Sequence, residues 1–292
     1  MRNLKVAAAQ MACGSDRDQN VARAEALVRQ AAAEGAGLVL LPALFETRYF
    51  CQMQSAAHFG LARPIEGHPL IARMSRLAAE LDLVLPVSFF ERANNAFFST
   101  VAVIDADGTV MGVYRKSHIP DGPCCEEKYY FTPGDTGFRT WRTRHGVIGI
   151  GICTDQWFPE CARSMAVMGA EILLFPTVQG CLPQDAGPES VTRWHRVIQG
   201  HAGTNLMPVV SVNRQGLEPG DRCALAFHGG SLIVDEKGDV VASAGREGDQ
   251  LLTGTFDLDA LAAARASSGL FRDRRPDLYL SLLTLDGRDQ MI

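Results

Sequence analysis

Gly149-Ile150-Gly151-Ile152-Cys153-Thr154-Asp155 is a hydrophobic strand that runs directly into a thiol, a hydroxyl and a carboxylate. Two other stretches share that format, Leu40-Leu41-Pro42-Ala43-Leu44-Phe45-Glu46 and Val113-Tyr114-Arg115-Lys116-Ser117-His118. Strand ends are where α/β enzymes hold their chemistry, because the sheet is rigid there and the adjoining loops are free to vary. The surrounding chain supports the same class. Lys5 to Gln10 reads as a compact strand, and Asn20 to Glu34 as a helix stopped by Gly35 and Gly37. Pro69 to Leu81 reads as a second helix and Leu83 to Phe90 as a strand. Ser99 to Ile104 and Val110 to Tyr114 form a predicted hairpin, with Asp107-Gly108 supplying the turn. The second half repeats this grammar. Helices are expected over Pro159 to Met168 and Glu189 to Leu206, and strands near 146–152, 171–175, 209–212, 230–234, 240–244 and 251–256. No linker or low-complexity stretch divides the chain, so a single α/β domain over 1–292 with mixed sheets is expected.

The 292 residues are 47% hydrophobic and 21% charged, with a net charge of −5. That composition suits a globular fold and argues against nucleic acid or an anionic membrane as the main partner. No apolar run approaches the about 20 residues of a membrane helix. The opening Met1-Arg2-Asn3-Leu4-Lys5-Val6-Ala7 reads as a strand rather than a signal peptide, which makes the cytoplasm the expected location. The eight cysteines show no C-x-x-C spacing, so no zinc site is expected, and in a chain of this size without a secretion signal no disulfide is expected either.

Cys153 is the sharpest residue. It lies at a strand end before the helix starting near Pro159, where a helix N-terminus would lower a thiol pKa and favour the nucleophilic thiolate. A buried structural cysteine is the alternative reading. Lys116, at another strand end, is placed to hold a developing oxyanion, with a surface lysine beside Arg115 as its alternative.

Longer stretches narrow the choice: Tyr114-Arg115-Lys116-Ser117-His118-Ile119-Pro120-Asp121-Gly122-Pro123, Glu127-Lys128-Tyr129-Tyr130-Phe131-Thr132-Pro133-Gly134-Asp135-Thr136-Gly137-Phe138 and Asp155-Gln156-Trp157-Phe158-Pro159-Glu160, with matching runs at 199–205 and 271–276. Together they resemble the nitrilase superfamily of carbon–nitrogen hydrolases, and within it the N-carbamoylputrescine amidase-like branch, over nearly the whole chain. The resemblance implies a four-layer α-β-β-α sandwich with no metal and no organic cofactor. It implies a homodimer or higher homo-oligomer, to which a C-terminal tail of about 266–292 contributes. It also implies hydrolysis of a small amide or ureido compound through a thioester on Cys153, with Lys116 at the oxyanion and Glu127, rather than Glu126, supporting the lysine. The candidate substrate-binding residues are Arg48, Tyr49, Thr154, Thr177, Cys181 and Leu182.

One position departs from the pattern. The family's base glutamate follows the proline of the first strand-end motif, and that position is Ala43. Alanine moves no proton, and loss of a general base costs roughly 10²–10⁴-fold. Glu46 lies close by, but an offset of three in extended chain faces the other way. Thr154 replaces the usual aromatic after the nucleophile, and Cys181-Leu182 replaces a Ser-Glu pair before Pro183. Several changes around one pocket favour natural divergence over a single substitution made to trap a bound state. Three readings follow: an impaired amidase, a nitrilase-fold protein that binds a small molecule or serves as a subunit, and an acyl-transfer or amide-forming enzyme. With Arg48 entering and the acid at 182 gone, the expected ligand is neutral or anionic at its far end.

Overall fold

The computed structural model describes residues 1–185 and 187–288. The strands are β1 (Asn3–Ala12), β2 (Leu38–Leu40), β3 (Leu85–Ala93), β4 (Ala96–Ile104), β5 (Val110–Arg115), β6 (Thr140–Thr143), β7 (Gly146–Ile150), β8 (Ile172–Pro176), β9 (Gly180–Cys181), β10 (Val209–Val212), β11 (Arg214–Pro219), β12 (Ala224–His228), β13 (Leu232–Val234), β14 (Val240–Ser243) and β15 (Gln250–Asp257). The helices are α1 (Arg17–Ala33), α2 (Pro69–Leu81), α3 (Glu127–Tyr130), α4 (Pro159–Val167), α5 (Pro188–Asn205) and α6 (Leu258–Ser268).

β1 shows how the layers arise. Side chains alternate across a strand, so Val6 and Ala8 join one buried cluster while Ala7, Ala9 and Met11 join another. Such a strand is apolar on both faces and sits between layers. Its Val6 face meets Ile148 and Ile150 of β7, Leu174 of β8 and Val210 of β10, which is the seam between two sheets. Its Ala7 face meets Val21, Ala24, Val28 and Ala31 of α1 and Met74 and Leu77 of α2. A third cluster packs Cys161 and Met165 of α4 and Trp194 and Ile198 of α5 against Leu173 and Val209. The order is therefore helix, sheet, sheet, helix.

β1 pairs β15 antiparallel and β2 parallel, and a bridge from Leu38 to Val84 carries the sheet on to β3, β4 and β5. The second sheet runs β14-β13-β10-β8-β7-β6 and is parallel at β10-β8 and β8-β7. Both sheets are mixed. The far end of β1 also pairs β11, which continues antiparallel into β12 and β9. Asp16 caps α1 by accepting from the Gln19 N–H at 3.0 Å, a bond that satisfies an otherwise orphaned donor.

One expectation is overturned. Cys124 and Cys223 form a disulfide with a Cα–Cα separation of 6.5 Å, although no disulfide was expected. The two cysteines lie 99 residues apart. Only the docking of the β11–β12 turn against the segment before α3 brings them together, and spacing along the chain carries no trace of it. Of the tail expected at 266–292, residues 289–292 lie outside those described.

Candidate active site

The three strand-end motifs converge. Cys153 opens a short 3-10 turn, Cys153–Trp157, that follows β7, with φ +47°, the left-handed region that non-glycine residues seldom occupy. Asp155 anchors this turn. Its buried carboxylate accepts from the Ile152 N–H at 2.9 Å, the His118 N–H at 3.0 Å and the Tyr114 hydroxyl at 2.8 Å. The cysteine turn is thereby tied to the β5 end that carries Lys116. Gly134 braces Lys116 from the other side, donating its N–H to the Lys116 carbonyl at 2.8 Å. A Cβ on Gly134 would lie 2.1 Å from the Arg115 carbonyl oxygen, so only glycine permits this approach.

Lys116 and Glu127 are both buried, with Nζ donating to Glu127 Oε2 at 2.5 Å. The other oxygen of Glu127 accepts from the Tyr49 hydroxyl at 2.9 Å, and Cys125 Sγ lies 3.2 Å from that hydroxyl. Burial works against the Lys116 ammonium, but Glu127, with Cys153 and Asp155, more than offsets it, and the pKa is raised. The lysine is held as a cation. Burial, with the Glu127 charge, pushes the Tyr49 phenol well above its ordinary value. Cys125 is pushed up to about 12, mainly by burial.

For Cys153 the expected lowering of the thiol pKa is not what the structure shows. Burial raises it. Lys116 is the strongest opposing influence, Glu127 raises it further, and the Val178 N–H and Thr154 hydroxyl bond the sulfur and lower it. α4 begins only at Pro159, six positions beyond the sulfur-bearing residue. The positive end of a helix acts only over its first turn.

Ala43 is fully buried. Its N–H donates to the Thr177 carbonyl at 3.1 Å, and Thr177 adjoins the Val178 that bonds Cys153. The position is next to the thiol's surroundings and carries no proton acceptor. Glu46 does not supply one: its carboxylate is paired with Arg17 of α1, whose Nε donates to it at 2.6 Å.

The remaining candidates separate. Tyr49 and Thr154 reach the lysine–thiol array. The Thr177 hydroxyl is spent on the Val212 carbonyl at 3.0 Å. Cys181 lies half-buried on β9, paired with Ala226, and Leu182 packs on the inter-sheet core. Arg48 is exposed and lines a cavity of about 330 Å³ with Tyr49, Gln52, His58 and Asp221, among others, but not Cys153. Sequence reasoning passed over Asp155 as an anchor, the Val178 N–H, and the buried pair Arg214–Glu218. Arg214 follows the apolar run Val209–Val212, the same strand-end format that marked Cys153 and Lys116, and that signal was there to use.

A helix–sheet–sheet–helix sandwich that brings a buried lysine and carboxylate beside a thiol in a left-handed turn is a scaffold of the nitrilase type. The carbon–nitrogen hydrolase family model matches residues 5–266. An N-carbamoylputrescine amidase from Solanum lycopersicum is 53% identical over 290 residues, covering 98% of this chain and 97% of that one. A citrullinase from Francisella tularensis is 47% identical over 279 residues, covering 96% of this chain and 98% of that one. A carbon–nitrogen hydrolase from Helicobacter pylori superposes with a TM-score of 0.91 at 35% identity, over 97% of this chain and 99% of that one. The chain belongs to the carbon–nitrogen hydrolase family of the nitrilase superfamily, in its N-carbamoylputrescine amidase-like branch, and is an amidase-type hydrolase by that membership.

Proposed function

We propose that this protein hydrolyses the C–N bond of a small N-carbamoyl (ureido) or amide compound through a thioester on Cys153, and that Ala43 holds its turnover low. The observation that carries the reading is the buried Lys116–Glu127–Tyr49 array beside a cysteine whose neighbouring position 43 has no carboxylate. In the forward step the sulfur attacks the carbonyl carbon and the C=O electrons move to oxygen, where the Lys116 ammonium stabilises the charge. The tetrahedral adduct collapses with expulsion of the amine, which takes the proton released by the Cys153 thiol, carried by water because position 43 has no carboxylate. Water then attacks the thioester and must give one up. Glu127 already accepts from Lys116 and Tyr49, so its role is to hold the lysine. Neutral water is the weaker nucleophile, so deacylation suffers more than acylation from the missing base.

Incubation with N-carbamoylputrescine, citrulline and simple amides, followed by intact-mass measurement, tests this. The expected result is an acyl adduct on Cys153, absent in Cys153→Ala, with slow product release. An unmodified protein and no product across the panel would favour the alternative, a nitrilase-fold protein that only binds its ligand, for which Ala43 is the one supporting observation.

Two further parts of the reading concern the ligand's far end and assembly. Arg48 and Asp221 line one cavity beside Tyr49, and Leu182 stands where the family resemblance implies an acid. A cation together with a carboxylate suits the carboxylate and ammonium of an amino acid better than a lone amine. Calorimetric titration should therefore show tighter binding of citrulline than of N-carbamoylputrescine, and the reverse order would sink this preference. Leu278, Leu282, Leu283 and Leu285 are 64%, 63%, 81% and 110% exposed on a single short stretch. Apolar side chains concentrated in this way mark an association surface. We assign the chain to a homodimer or larger homo-oligomer, and light scattering that returns a monomer at micromolar concentration would refute it.

A further inference from the structure

The segment 43–49 contains both position 43 and Tyr49, and its inward-facing backbone is held by two charged side chains from a distant hairpin. Arg214 and Glu218 both lie on β11, and both are buried. Arg214 Nη2 donates to the carbonyls of Ala43 and Leu44, each at 2.8 Å, and Nη1 donates to the Thr47 carbonyl at 3.2 Å. Nη1 also donates to Glu218 Oε1 at 2.8 Å, while Glu218 Oε2 accepts the Tyr49 N–H at 2.6 Å. Phe227 of β12 closes the arrangement, with the guanidinium 5.3 Å from its ring centre and the Tyr49 ring edge-on at 5.9 Å. Inside the turn, Leu44 adopts φ +51°, a conformation that persists only where its surroundings dictate it.

We propose that Arg214 and Glu218 are positioning residues of the hydrolase centre: one guanidinium and one carboxylate fix the backbone of 43–49 so that position 43 faces Cys153 while Tyr49 reaches Glu127. This rests on the functional reading above and extends it to residues that touch none of the reacting atoms. The geometry favours this over a role in stability alone. The pair places two of its backbone bonds at one end of the turn, on Ala43 and Leu44 where the base position lies, and two toward the other, on Thr47 and on Tyr49. Arginine's rigid fork suits it to several carbonyls at once, whereas a lysine ammonium acts as a point donor. A displacement of about 1 Å in a catalytic group can cost roughly 10²-fold in rate, so a small slip of this turn would register in function before unfolding.

Arg214→Lys and the nearly isosteric Glu218→Gln test the assignment, each in the chain as it stands and together with Ala43→Glu. Alkylation of Cys153 by iodoacetamide is followed by intact mass from pH 6 to 10, at a temperature where near-ultraviolet dichroism shows native packing. In the chain as it stands, both variants should shift the midpoint of the pH–rate profile, because Tyr49 no longer holds Glu127 against Lys116 in register. In the Ala43→Glu background, Arg214→Lys should remove at least about tenfold of the alkylation gain that the new glutamate brings. Variants that melt at lower temperature yet keep the same pH profile and the whole of that gain would overturn the proposal, leaving the pair a stability device. If Ala43→Glu brings no gain in any background, the reading of position 43 fails, and the midpoint shift in the unaltered chain still decides the role of Arg214 and Glu218. Glu218→Gln keeps its shape and supplies the answer should Arg214→Lys not fold.

Discussion

Cys153 is a thiol under opposing influences, with burial raising its pKa and the fixed cation of Lys116 lowering it. Only the thiolate attacks, so the rate of alkylation should climb with pH and keep climbing beyond the ordinary thiol range. Replacing Lys116 with Met removes the main stabiliser of the thiolate, and the midpoint of the profile should move higher still. A profile that saturates near neutral pH in the parent, or is unmoved by Lys116→Met, would show that lysine and sulfur do not communicate. The same site makes position 43 the most informative single change. Ala43→Glu puts a proton acceptor into a buried position whose backbone is fixed at both N–H and C=O. Turnover should rise by at least about 10²-fold if the rest of the centre is competent. Steady-state kinetics on the ureido panel measures it. An inert Ala43→Glu with Cys153 unmodified would mean that the pocket has diverged beyond its base.

Elements, rather than single residues, decide which carboxylate can serve. Glu46 is three positions from Ala43, but the turn directs it outward to α1, where Arg17 takes its carboxylate and Asn20 Nδ2 bonds its carbonyl at 3.1 Å. In the Ala43→Glu background, Glu46→Gln should leave turnover within about threefold, since Glu46 shares no bond with the thiol's surroundings. Because burial outweighs Arg17 in raising the Glu46 carboxyl pKa, removal of its charge should leave stability within about 1 kcal/mol. Urea denaturation and kinetics read the two effects separately, and a collapse of turnover at unchanged stability would make Glu46 the working base. The offset argument from extended chain pointed Glu46 away from the site, although the observed turn, with Leu44 at φ +51°, is not extended. Strand-end readings anticipated that 43, 116 and 153 follow strands because apolar runs such as Leu38–Leu40 and Gly146–Ile150 read as buried strands from their own composition. β11 and β12 escaped notice because Arg214–Pro219 mixes Arg, Gln, Gly, Glu and Pro, and its strand character comes from pairing with β1 and β12 rather than from its own pattern. With that hairpin went the disulfide partner Cys223 and the Arg214–Glu218 pair. The thiol pKa was misjudged for a related reason: burial is a property of the assembled layers, and a short stretch of sequence reports only the neighbouring helix.

At the scale of the whole molecule, three histidines sit inside the fold rather than on it. His68 caps α2 beside Phe89, His201 lies on α5 bonded to the Gln156 carbonyl, and His228 ends β12. All three are buried, and burial lowers the pKa of each, that of His68 from 6.5 to about 4. A histidine with a lowered folded pKa binds its proton more readily when the chain unfolds. The unfolded state therefore takes up more protons below pH 6.5, and stability must fall as the pH falls from there toward the folded pKa. Each pH unit of that interval is worth at most about 1.4 kcal/mol for one group, and His68, with the largest lowering of the three, should contribute most to the loss. Glu46 works the other way. Its carboxyl pKa is raised by burial despite Arg17, so it adds stability in acid that is lost as the pH rises. With three histidines against one such carboxylate, the histidines should set the sign between pH 6.5 and 5. Urea midpoints at pH 7.5, 6 and 5 should decrease in that order. His68→Asn keeps a side chain suited to an N-cap and abolishes the titration, so it should flatten the decrease measurably. Midpoints that are level across this range, or a slope that His68→Asn leaves intact, would place the acid sensitivity elsewhere than in these buried rings.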